Sequence, residues 1–152
     1  MKKFRGKKRY FRNLRREVHN VNFKLDHEYW FDFWHTHLDF LCRGELSSKI
    51  RREHIIAHLA LYDNVLNQLK QFKQPYQTWV CISENDPCLD AVFIHSLNPN
   101  EDNFPLKIYN LKRNCQLPDS FKDLIAVDKF DVAYDENDNI YVIQSKNQGI
   151  KL

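Results

Sequence analysis

Five residues that can bind a metal ion or transfer protons lie close together in the first half of the chain. His35, His37 and Asp39 alternate along one stretch. His54 and His58 follow with a spacing of four. Residues two apart on a strand share a face, and residues four apart on a helix are neighbours, so each histidine pair can reach one ion. Zinc in proteins takes three or four His, Asp or Cys ligands. The pattern is compatible with a divalent metal site, such as zinc, and with a metal-dependent hydrolase as one alternative function.

The competing interpretation is that these histidines pack among aromatic side chains. The sequence HIIAH at 54–58 lacks the glutamate that metalloprotease helices carry after the first histidine, and HTHLDF at 35–40 lacks the next histidine of metallo-hydrolase motifs. The chain has no glycine-rich phosphate loop and no G-x-S-x-G nucleophile motif. We therefore predict no bound cofactor, with the metal as the alternative, and favour a binding protein over an enzyme.

A strand and a helix must position these histidines. Alternation over 29–41 predicts a strand that places His35, His37 and Asp39 on one face. The segment from 49 to 73 predicts a long helix, with one apolar stripe containing Leu59 and Leu66 and with His54 and His58 on its border. We expect the short loop through Gly44 to bring the two histidine pairs into one polar pocket that reaches the surface. Arg51 opposes the helix dipole near its N-terminus, which an acidic partner such as Asp39 or Glu45 can offset.

The second half of the chain is predicted to form mainly strands. Runs at 77–83 and 88–97 flank the turn sequence ENDP, a short strand follows at 106–112, and a helical turn begins at Asp119. A second hairpin turns at ENDN, residues 136–139. The predicted fold class is α+β, with one long amphipathic helix packed on a mainly antiparallel β-sheet of about five to seven strands. His95, Asn98 and Asn100, at the end of the 88–97 strand, are candidates for a partner-binding rim.

The charge of the chain is divided. Residues 1–16 hold nine Lys or Arg and no acid, whereas the rest holds 14 basic and 20 acidic residues. We predict a basic N-terminal arm at 1–16 that adds little to the core, followed by a single α+β domain at 17–152. Such an arm can bind nucleic acid or an acidic protein surface, or it can be a solvated tail that serves solubility. The candidate contacts are Lys2, Lys3, Arg5, Lys7, Lys8, Arg9, Arg12, Arg15 and Arg16.

The cysteines and the hydropathy pattern suggest a location. Cys42, Cys81, Cys88 and Cys115 show no C-x-x-C spacing, and the basic start is not followed by an apolar segment. No apolar run approaches the roughly 20 residues of a membrane span. We expect four free thiols in a cytoplasmic protein with no membrane partner.

The sequence favours a function for this protein as a small soluble protein-interaction module. An immunity or inhibitor-type protein of a microbial or phage genome, which covers a basic toxin, suits the acidic body. Its partner is then another protein. The metal-dependent hydrolase and the nucleic-acid-binding protein remain as alternatives.

Overall fold

The computed structural model describes residues 6–20, 34–36, 48–71, 76–96 and 110–148. The helices within these ranges are α1 (Lys7–Asn20), α2 (Ser48–Leu69) and α3 (Asp119–Lys122). The strands are β1 (Trp34–Thr36), β2 (Tyr76–Ser83), β3 (Ala91–Ser96), β4 (Leu111–Arg113), β5 (Phe130–Asp135) and β6 (Ile140–Ser145). Short 3₁₀ turns occupy Pro87–Leu89 and Lys146–Gln148.

The six strands form one antiparallel sheet in the order β1-β3-β2-β6-β5-β4. The α+β class and the mainly antiparallel sheet of five to seven strands are therefore confirmed. The predicted hairpin turn at 136–139 joins β5 to β6, and Asn139 in it has a φ of 54°. Asparagine adopts this left-handed conformation more readily than most residues, which suits it to a tight turn.

Both faces of the central strand β2 are buried. Val80 and Ile82 face the main core cluster, which includes the inner side of α2. Trp79 and Cys81 belong to a second cluster on the opposite face, where the Trp79 ring stacks on that of Phe93 with centroids 5.6 Å apart. Residues 79–82 of this strand form a continuous apolar run, as is typical of a strand that is buried on both faces.

Helix α2 packs on the sheet through a stripe that includes its histidines. Its fully buried side chains are His54, Ile55, Ala57, His58, Leu61, Tyr62 and Val65. Leu59 and Leu66 are only partly buried. The prediction that the histidines lie on the border of the buried face is therefore wrong. They can occupy the core because the Nδ1 atom of each has a hydrogen-bond partner there, which hydropathy alone does not reveal.

Part of the basic N-terminal stretch is the regular helix α1, which runs without interruption past residue 16. Phe11, Leu14 and Val18 are at most 5% exposed and belong to the main core cluster. The side-chain amide of Asn64 on α2 donates to the Val18 carbonyl at 2.6 Å. The expectation that this stretch adds little to the core is thus wrong for its described part, because apolar residues at helical spacing are interleaved with the charges. The domain boundary itself stays a prediction.

The cysteines are not all free thiols. Cys81 and Cys115 are free, whereas Cys88 is disulfide-bonded. The expectation of four free thiols is wrong, and the cytoplasmic location that rested partly on it stays a prediction. None of the helices in the described residues has the length and apolar composition to cross a membrane.

A buried Arg-Asp-His cluster and an acidic rim

A carboxylate that the sequence patterns did not single out lies at the centre of the buried polar cluster. Asp90 follows the 3₁₀ turn, immediately before β3, and is 0% exposed. Arg51 donates to both of its oxygens, with one bond of 3.0 Å to Oδ1. The Ser83 N–H donates to Oδ1 at 2.8 Å, and the Nδ1 atom of His54 lies 2.8 Å from Oδ2.

The start of α2 and the β2–β3 connection bring these groups together. Positions 51, 54 and 58 share one side of α2, since they follow the i, i+3, i+7 spacing of a helix face. The connection after β2 then returns Asp90 to that side, where Arg51 also donates to the Ser83 carbonyl. The positive charge at the helix start is therefore compensated by Asp90 among the described residues. Asp39 and Glu45, which the sequence suggested, lie outside them.

Opposing effects set the ionisation of Asp90. Burial raises the pKa of this carboxyl. The hydrogen bonds from His54 and Arg51, together with the Arg51 charge, lower the pKa by more than burial raises it, so the net pKa lies below the ordinary value. Asp90 is therefore a carboxylate near neutral pH. The Arg51 guanidinium beside it balances this charge, so the Arg51–Asp90 pair has no net charge.

His58 lies one helical turn further into the core. Its Nδ1 donates to the His54 carbonyl at 3.0 Å, and the two imidazole rings are 4.4 Å apart between centroids. Burial lowers the pKa of His58 to about 4. This imidazole is therefore neutral at physiological pH.

The cluster resembles a metal site in residue type but not in its bonding. His54, His58 and Asp90 each offer a ligand atom within 4.8 Å of the others. A carboxylate has about four lone-pair positions, and those of Asp90 accept two bonds from Arg51, one from Ser83 and one from His54. A divalent cation would have to displace the guanidinium and would be repelled by it. These contacts favour a structural cluster over a zinc centre.

Of the remaining histidine, aspartate and asparagine candidates, His35 and His95 lie within the described residues. His35 lies in β1, in register with Phe93 on β3, and His95 is half-buried on β3 opposite Gln77. His37, Asp39, Asn98 and Asn100 lie outside the described residues, as do Lys2, Lys3 and Arg5. The expected convergence of the two histidine pairs stays a prediction.

Two adjoining turns at one end of the sheet carry a group of exposed carboxylates, which we call the acidic rim: Glu84, Asp86, Glu136 and Asp138. The turns are joined by a hydrogen bond of 2.9 Å from the Glu84 N–H to the Asn139 carbonyl. Neither turn contains Lys or Arg, and the rim's one described ion pair joins Glu136 to Lys112 of β4. The rim is thus a strongly negative surface.

The buried cluster holds the first of these turns in place. Arg51 binds both ends of the connection, at the Ser83 carbonyl and at Asp90. Within the turn, the Asp86 N–H donates to the Ser83 hydroxyl at 3.0 Å, and the Asp86 carboxylate accepts from the Cys88 N–H at 2.9 Å. The half of the rim that contains Glu84 and Asp86 therefore lies on a connection that is fixed to the core.

Comparison of the chain with protein-family models, with curated proteins and with solved structures finds no match. The geometry of the described residues is therefore the basis for the function proposed below.

Proposed function

We propose that this protein is a protein-interaction module whose acidic rim docks on a basic surface of another protein. The observation that carries the proposal is the combination of four exposed carboxylates with an exposed apolar side chain on the connection that carries two of them. Leu89, between Asp86 and β3, is 46% exposed. Binding energy at protein interfaces concentrates in a few anchor side chains, whereas surrounding charges steer the encounter and select the partner.

The fixed mounting of the rim supports the same function. A surface that is already ordered loses less conformational entropy on binding, which leaves more of the contact energy for affinity. The bonds from Arg51 to both ends of the β2–β3 connection supply that order. An immunity or inhibitor-type protein that neutralises a basic toxin would use a surface of this kind.

The test is a comparison of two variants with equal charge changes. The rim variant carries Glu84→Gln, Glu136→Gln and Asp138→Asn, and the control carries Asp119→Asn, Asp123→Asn and Asp128→Asn, which are exposed elsewhere. Proteins retained by the immobilised wild-type chain from an extract of its source organism are identified, and the binding of each is then measured with the purified protein.

We expect a basic partner whose association rate falls with added salt and whose binding is lost in the rim variant but retained by the control. Substituting Leu89→Ser should also weaken binding. Equal binding by all the variants, or equal loss in the rim and control variants, would contradict a specific role for the rim.

A further inference from the structure

Helix α1 carries a line of arginines that has no role in the function proposed for the acidic rim. A helix turns by about 100° per residue, so Arg9, Arg12 and Arg16 fall within a sector of about 60°. Phe11 and Leu14, which are buried, lie on the opposite side of the helix. We call the three outward residues the arginine ridge.

The ridge is positive and free of carboxylate partners among the described residues. Its three arginines are exposed, and the described ion pairs of Lys and Arg are formed by Arg51, Arg52, Lys112 and Lys122 instead. Arg16 donates to the neutral side chain of Asn13 at 2.6 Å. The one acid of the helix, Glu17, lies about 80° around the axis from Arg9. On that flank burial raises the pKa of Tyr10, and the Glu17 charge raises it further.

We propose that the arginine ridge binds the phosphate backbone of nucleic acid without reading its base sequence. From position 9 to position 16 the helix rises by about 10 Å, a length over which one strand of a duplex carries about three phosphates. Guanidinium groups match phosphate oxygens with paired hydrogen bonds, so three arginines in line can follow three phosphates. In the sequence, five further Lys or Arg precede Arg9.

The side chains of α1 argue against base recognition. Bases are read by amide side chains, or by arginines on a helix that enters the groove, and they stack on exposed aromatic rings. Phe11 is buried, Tyr10 is half-buried on the flank, and Asn13 is engaged by Arg16. Helix α1 also lies along the body with its apolar side in the core. We therefore expect the ridge to bind nucleic acid through its positive charge.

The same helix is poorly suited to an acidic protein partner. Among the described residues the exposed large apolar side chains are Ile56, Leu89 and Val127, and none of them lies on α1. A protein interface normally needs such an anchor at its centre. Phosphate binding needs only the positive charge and its spacing.

The experiment measures fluorescence anisotropy of two labelled 20-base-pair DNA duplexes of unrelated sequence, from 50 to 300 mM salt. The ridge variant carries Arg9→Gln, Arg12→Gln and Arg16→Gln. The control, with the same loss of charge, carries Arg52→Gln, Arg113→Gln and Lys122→Gln. Circular dichroism checks that both remain folded, and polyglutamate serves as an acidic polymer without phosphate.

The wild-type chain should bind both duplexes within about threefold of each other. The slope of log affinity against log salt should become shallower by about 3 in the ridge variant, since each lost phosphate contact contributes roughly one unit. The control should keep the wild-type slope. Absence of binding at 50 mM salt, a strong preference for one duplex, an unchanged slope in the ridge variant, or equal binding of polyglutamate would each overturn the proposal.

A second copy of the chain is the remaining competitor, because its acidic rim could receive the ridge. Sedimentation of the wild type and the ridge variant distinguishes the two occupants. A monomeric wild type that binds DNA supports the proposal, and a dimer that dissociates in the ridge variant overturns it.

Discussion

Replacing Asp90 by Asn should destabilise the fold severely, although the two side chains have nearly the same shape. The amide carries no charge and has one acceptor atom in place of two. Arg51, whose side chain is 13% exposed, would then lose its counter-charge in the core, and one of the donors from Ser83, His54 and Arg51 would meet an NH₂ group.

The magnitude follows from the burial of the pair. Removing one partner of a buried ion pair costs about 3–5 kcal/mol, because the other charge is left without compensation. A chain of this size is stable by roughly 5–15 kcal/mol, so the substitution removes a large part of the total. At about 2–4 °C per kcal/mol, the Tm should fall by roughly 6–20 °C.

The chain supplies a matched control in the next arginine of the same helix. Arg52 forms a bidentate pair with Asp123, at 2.8 and 2.6 Å, but the two side chains are 38% and 61% exposed. Water screens this pair, so Asp123→Asn should leave the Tm close to the wild-type value.

Urea unfolding followed by tryptophan fluorescence gives the free energy of unfolding of each protein. If Asp90→Asn costs less than about 1 kcal/mol, or no more than Asp123→Asn does, the account of the buried cluster as the anchor of the β2–β3 connection is refuted. Double substitution with Arg51→Gln adds a check. It should cost less than the sum of the two single changes, because the residues act as one unit.

Further predictions concern the core around α2. Because burial lowers the pKa of His58 to about 4, the unfolded chain binds a proton near pH 6.5 before the folded chain does. The free energy of unfolding should therefore fall by roughly 3 kcal/mol between pH 6.5 and 4, and His58→Asn should flatten that part of its pH profile. Leu61→Ala should cost about 2–5 kcal/mol in urea unfolding because Leu61 is 0% exposed, and Leu66→Ala should cost clearly less; equal costs would show that the packed side of α2 is misplaced. Tyr62→Phe should cost about 1–3 kcal/mol by the same assay, since the Tyr62 hydroxyl accepts the Ser145 N–H at 2.8 Å, and an unchanged free energy of unfolding would show that this bond contributes nothing.

Periodicity and turn chemistry predicted much of the architecture. The α2 segment, the β2 strand, the helical turn at Asp119 and the hairpin turn at 136–139 could all be predicted because their signals are local. The orientation of α2 could not. Whether His54 is buried depends on a carboxylate 36 residues away in sequence, and no local pattern contains that information.

The same limit explains why Asp90 was not predicted, whereas the prediction for α1 was wrong for a different reason. A single Asp beside the apolar run AVFI resembles a strand boundary, and only its pairing with Arg51 across the fold gives it a role. In α1, nine basic residues in the first 16 suggested a solvated arm. Residues 11, 14 and 18 nevertheless follow helical spacing, so the apolar periodicity was the signal that deserved more weight than the composition.

The outer strands of the sheet bear on how this protein behaves at high concentration. Within the described residues, β1 and β4 lie at the two ends of the strand order and are three residues long, whereas β2 in the interior has eight. An outer strand offers open backbone donors and acceptors to any other chain, and natural proteins limit this by keeping such strands short and charged. Two of the three residues of β4 are Lys112 and Arg113, which are exposed. Loss of these charges, more than any change in the interior, should therefore favour strand-to-strand aggregation of the folded protein.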